Sequence, residues 1–321
     1  FALAWRFEGA APHPHAVWSA VGSCAALAVL RGFDARQFQQ ALSMAAACAR
    51  AAPFAWVARG EPAANAWVGW GVTDGFRCAD MAAFGVTATG APPSATFQGL
   101  LAASYQPGVL AAGLGAQWAV AGNYHKPLAC AGQAMAAVEA LLELRHRLGA
   151  AGPLPLPERI TADVHQAALL LDHAAPHTSL GARFSLPHLL AYAWLHGTRG
   201  LQTGSAVAGD TGLDALGLEE DAVMALRQRV HLAERLPRLP SPHDRAATVR
   251  LLMGDGSLHV QDCLSAYGGP DRPMNGHAVL AKSRALAGCR WPAFFDWLEQ
   301  CALAPAPDFE ARPGDLLTLQ P

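Results

Sequence analysis

What the sequence has little of is charge, and it has no surplus of positive charge: 15% of the residues are charged, and 23 Lys and Arg face 25 Asp and Glu for a net charge of −2. A nucleic-acid partner, which needs a basic face, is therefore not expected. Long apolar runs are missing too, although 52% of the chain is hydrophobic. Stretches such as SCAALAVL and LSMAAACA are interrupted by Arg31, Asp34 and Arg50, and none reaches the ~20 residues that cross a bilayer. The opening FALAWRFEG lacks the basic start and apolar core of a signal peptide, so a protein without membrane contact and in the cytoplasm is expected. The cysteines number seven, are scattered and never form CxxC. That excludes a zinc knuckle, and it reads as buried reduced thiols rather than as a disulfide framework. GxGxxG, a P-loop, a G-x-S-x-G elbow and H-E-x-x-H are all absent. No organic cofactor and no metal are expected, and the remaining histidines read as solvated surface groups.

What is present is alanine, glycine and proline in an order that punctuates helices. The chain is long enough for two domains with separate cores. The apolar residues of 18–30 crowd onto more than one helical face, Gly32 stops that helix, and Asp34 with Gln37 three residues on reads as a capping box for the next. FQQALSMAAACARA continues it, with alanines that let helices approach closely. Residues 73–85 are expected to be a further helix, capped by Thr73 or Asp74 and stopped by Gly85. After the turn-rich ATGAPPSATFQG, a short helix is expected to run to Tyr105.

Past about residue 120 helices alternate with strand-like runs. AMAAVEALLELRHRLG is helical and is closed by the proline-rich GPLPLPER. RITADV alternates as a half-buried strand does, and TVRLLMGDGSLHVQD reads as a hairpin turning at Asp255-Gly256. The end of the chain is helical again from an Asn275 cap. In RFSLPHLLAYAWLHG (183–197) Ser185 caps a helix with Pro187 in its first turn. Phe184, Leu186, Leu189, Leu190 and Trp194 are expected to form its buried stripe, edged by His188 and Tyr192.

Four stretches, in order, resemble the MmgE/PrpD superfamily, whose members include 2-methylcitrate dehydratase, cis-aconitate decarboxylase and iminodisuccinate epimerase. They are HPHAVWSAVGSCAALAVLRGFD, GVTDGFRCADMAAFGVTATG, PHTSLGARFSLPHLLAYAWLHG, and DGSLHVQDCLSAYGGPDRPMNGHAVLAKSRALAG with its helical Lys282. The resemblance implies a mainly α fold with an α+β second domain. A helical domain built from 1–121 and 269–321 would hold an inserted α/β lid at 122–268. It implies a homodimer as well, and a further helical segment ahead of the histidine helix in family members, carrying active-site residues of its own. The chain is read as a fragment on that ground.

The activity implied is cofactor-free proton abstraction or delivery beside a carboxylate of a small di- or tricarboxylate: a lyase or isomerase of the dehydratase, decarboxylase or epimerase type. Such chemistry uses a base near neutrality, which histidine supplies, and cations to hold the carboxylates. Counted back from Gly32-Phe33-Asp34, the family histidine falls on His13 or on His15, and both stay candidates. Lys126 matches the family lysine at the lid entry, as a third catalytic candidate. His125 beside it and Arg183 before the FSLPH helix are candidates for substrate binding. Two expected charges are replaced, since Ala64 stands at a family lysine and Trp67 at a family histidine. The competing reading is a catalytically degenerate or truncated member with a structural or regulatory role.

Overall fold

The computed structural model describes residues 5–6, 12–86, 88, 92–149, 154–201 and 216–303. The chain divides into two compact units, Phe1–Trp118 and Ala119–Pro321. It is mainly helical, with a small mixed sheet in the second unit.

In the first unit, strand β1 (Trp5–Arg6) pairs antiparallel with β2 (Ser104–Tyr105). The helices are α1 (Pro14–Leu30), α2 (Ala35–Ala47), α3 (Phe54–Ala58), α4 (Ala66–Ala83) and the short α5 (Pro92–Ser94) and α6 (Gly108–Ala111). The link between α1 and α2 follows the sequence expectation: Gly32 turns at φ 67°, and Asp34 and Gln37 form a reciprocal capping box. Helix α4 departs from it. It begins at Ala66, so Thr73 and Asp74 lie inside it rather than at its cap. Thr73 donates to the Gly69 carbonyl at 3.0 Å, and Asp74 pairs with Arg50. The helix runs on through its glycines because α1 needs them: a Cβ on Gly75 would lie 2.1 Å from Ser23 Oγ and 2.3 Å from the Ala20 oxygen. The chain after Pro92 also differs, because a π-helical turn (Ala95–Leu100) buries Phe97 completely and ends before Tyr105, which joins β2. Burying a phenylalanine contributes about 2 kcal/mol, enough to hold an irregular turn against the α1–α2–α4 core.

The second unit begins with short 3-10 turns and α7 (Met135–Gly149), followed by β3 (Arg159–Val164). A crossover containing α8 (Ser179–Arg183), α9 (Leu186–His196) and α10 (Asp221–Arg227) leads to β4 (Val230–Glu234), parallel to β3. The hairpin β5 (Ala247–Leu252) and β6 (Leu258–Cys263) adds antiparallel, giving the order β4-β3-β5-β6. Gly256 turns it at φ 83°, as Asp255-Gly256 indicated. Helices α11 (Gly276–Ala287), capped by Asn275, and α12 (Pro292–Leu303) complete the described chain.

Helix α9 is less amphipathic than its sequence suggests. Ser185 caps it by accepting from the His188 N–H at 3.2 Å, yet every residue from Leu186 to Trp194 is buried. His188 therefore lies in the core rather than at an edge, at 0% exposure. Its Nε2 donates to the Leu216 carbonyl at 2.6 Å, while Nδ1 accepts from Arg227 at 3.4 Å. That pairing satisfies both ring nitrogens and makes a fully buried imidazole tolerable. Phe184, expected in the stripe, is only half-buried.

Candidate active-site residues

His13 is the N-cap of α1. Its backbone is extended, and Nδ1 accepts the backbone N–H of His15 at 3.2 Å. Its ring stacks on Phe54 (5.5 Å between centroids, 16° between planes), and Trp67 lies 5.8 Å away. Burial, then the charge of His15, holds His13 down to about 4. At neutral pH its ring is thus uncharged, with the Nδ1 lone pair committed to the cap and the proton on Nε2. That leaves His13 a weak base with an N–H to offer. His15 is exposed, one ring away in edge-on contact (4.7 Å between centroids), and only its backbone N–H is engaged by the cap. The sequence left the two histidines equivalent. The fold separates them into a capping histidine and an accessible one.

Trp67, standing where the family has a histidine, is 4% exposed and packs 6.2 Å from Trp56 as well as against His13. Ala64 lies half-buried in the 3-10 turn Pro62–Asn65. The wall that a polycarboxylate enzyme would make cationic is thus apolar and aromatic, and an anion there would find no counter-charge from these two positions.

The candidates of the second unit gather on the segment leading into α7. Lys126 Nζ donates to the Cys130 carbonyl at 3.0 Å. Arg183, 8% exposed at the end of α8, donates from Nη1 to the Ala129 carbonyl at 2.9 Å, and its own carbonyl accepts from the Ala131 N–H at 2.9 Å. Burial lowers the pKa of Arg183, against the raising influence of Cys130 and Tyr192. Burial pushes the Cys130 thiol up to about 12, although Lys126 and Arg183 both pull it down. His125 is half-buried and fixed by its backbone: its N–H donates to the Gly268 oxygen at 2.8 Å, and its own carbonyl oxygen lies 2.1 Å from where a Cβ on Gly268 (φ 91°) would stand. Lys282 was visible in the sequence only as part of a helix motif. Burial, then the ammonium of Lys126, holds its pKa below the usual lysine value. The ammonium of Lys126 is therefore near enough to bear on Lys282. They are 156 positions apart in sequence, a separation no local pattern can bridge.

A cleft of about 440 Å³ in the same unit has the opposite character. It is lined by Glu139, Glu143, Asp262 and Asp271 with His243 and Arg272. Arg272 is already paired with Glu139 at 2.7 Å, and His243 Nδ1 shares a 2.8 Å hydrogen bond with Ser265 Oγ. Its surplus of carboxylates would repel a di- or tricarboxylate. Among the described residues, no group of three His, Cys, Asp or Glu is placed to hold a metal ion, and no helix is long and apolar enough to cross a membrane.

No curated protein sequence matches the chain. A family model does: the MmgE/PrpD C-terminal domain matches residues 128–293, from the segment held by Lys126 and Arg183 through the sheet and hairpin into α12. That match covers just over half of the 321 residues, and with it the chain belongs to the MmgE/PrpD superfamily.

Proposed function

We propose that the protein is an MmgE/PrpD-type enzyme that moves a proton at the carbon beside a carboxylate of a small di- or tricarboxylate, with no cofactor, as a lyase or isomerase. The observation that supports this most is the histidine pair at the start of α1, in which a neutral, helix-capping His13 lies against an accessible His15. On this reading His15 is the base and His13 holds the helix end and offers Nε2–H; within the second unit by itself, Lys126 is the cation proposed to hold a carboxylate, with Lys282 as a further positive group. The test is proton exchange in D2O, followed by NMR on a panel of small di- and tricarboxylates. His15→Ala should lower the exchange rate by about 10²–10⁴-fold, the usual contribution of a positioned base. Lys126→Ala should raise KM more than it lowers kcat. Unchanged rates in the His13→Ala/His15→Ala double mutant would remove both residues from the mechanism. The reading includes a homodimer, checked by light scattering of the purified chain.

A second reading is a catalytically degenerate member with a structural or regulatory role. Trp67 and Ala64 favour it, as does the use of Lys126 and Arg183 to hold backbone carbonyls. Absence of exchange across the whole panel, from a chain that is folded by circular dichroism, supports this second reading over the first.

A further inference from the structure

The first unit brings together thiols that the proton-transfer reading does not use. Cys48 lies at the C-cap of α2 and is exposed, Cys78 lies in α4 and is buried, and their sulfurs are 3.7 Å apart. The sequence places them 30 positions apart, with no spacing motif to mark them. A disulfide needs the sulfurs at about 2.0 Å, so they must close from the 3.7 Å at which they stand. Cys24 of α1 is the third thiol of this cluster but is fully buried in the core, whereas Cys48 has the access that an incoming oxidant requires.

We propose that Cys48 and Cys78 form an oxidation site that closes reversibly to an intramolecular disulfide on exposure to a two-electron oxidant of the peroxide class. The Cys48 thiol gives up its proton and the thiolate sulfur attacks one peroxide oxygen; the O–O bond breaks, Cys48 becomes a sulfenic acid, and the departing hydroxide takes up a proton equal to the one Cys48 released and leaves as water. The Cys78 sulfur then attacks the sulfenic sulfur; the S–O bond breaks, and the departing hydroxide takes the Cys78 proton as a second water. The two thiols lose two electrons and the peroxide is reduced to water. Cys78 is the slower partner, because burial, then its thiol neighbour, pushes it up to about 12.

The bond would act on the histidine pair through the backbone that follows Cys48. The Arg50 N–H donates to the Ala16 oxygen and the Ala52 oxygen accepts the His13 N–H at 2.8 Å, while the Arg50 side chain pairs with Asp74 of α4. Drawing Cys48 toward α4 therefore pulls on the segment that seats the cap of α1.

The experiment treats the purified full chain with one equivalent of hydrogen peroxide, titrates thiols in denaturant and maps cross-linked peptides by mass spectrometry. Of seven thiols five should remain, with Cys48 and Cys78 in one linked pair that dithiothreitol restores. Cys48→Ser should lose no pair of thiols, and Cys289→Ser should still lose one pair. A link of Cys24 to either partner, or Cys48 passing to sulfinic acid without any link, overturns the proposal. Should a variant fail to fold, the map of the unaltered chain alone still decides.

Discussion

A single imidazole can serve stability or catalysis, and the two histidines at the start of α1 are expected to divide these tasks. His13→Ala removes the side-chain acceptor of a helix N-cap and should cost about 1 kcal/mol in denaturant unfolding, whereas His15→Ala should leave stability nearly unchanged while activity falls. The acid side follows from the direction of the shifts. His13 is held down to about 4 and His188 is lowered, each first by burial. A histidine kept neutral in the fold but free to charge in the unfolded chain contributes stability that is complete above about pH 6.5 and drains as the pH falls toward the folded value. Stability should therefore decline from about pH 6.5 toward pH 4, and His188→Leu and His13→Asn should each flatten that decline. His188→Leu should itself cost about 2–3 kcal/mol at pH 7, since it strands the Leu216 carbonyl and the buried Arg227. None of this was legible locally. His188 read as an edge residue of an apolar helix, because its partners come from residues 216 and 227.

Helix boundaries were legible where a cap and its helix are neighbours in sequence. Gly32 with Asp34, Ser185, Asn275 and the Asp255-Gly256 turn all act where the chain indicated. The start of α4 was not, because its extension to Ala66 depends on α1 lying against it. Two glycines of α4 test that account. Gly75→Ala would drive a methyl into Ser23 and the Ala20 carbonyl, and should cost about 3 kcal/mol. Gly69→Ala meets nothing within 4 Å, and should stabilise the helix by about 0.5–1 kcal/mol. Thermal melts of the two variants should shift in opposite directions. Equal losses would mean that helix propensity, not the approach of α1, sets this packing.

At the scale of the whole molecule, the second unit depends on joints between distant segments. Glu139 of α7 accepts from the Tyr267 N–H at 2.7 Å and pairs with Arg272 at 2.7 Å, fastening the Gly/Pro link after β6 to the helix that covers the sheet. Glu139→Ala should cost about 1–2 kcal/mol, since these are charge-assisted bonds on a partly exposed carboxylate, and limited proteolysis should then cut first near Arg272. The same link holds His125 through Gly268, so Lys126 depends indirectly on a joint about 140 residues further along the chain.

The sequence by itself determined the locally capped helix starts, the hairpin and the family, because each is carried by residues close in the chain or by ordered motifs. Only the tertiary structure decided that His13 is a neutral cap and His15 an accessible imidazole, that Lys126 bears on Lys282, that His188 is core, and that Cys48 meets Cys78. Each of those is a matter of burial and of charge or contact between segments tens of residues or more apart, up to the 156 positions between Lys126 and Lys282, which local patterning does not encode.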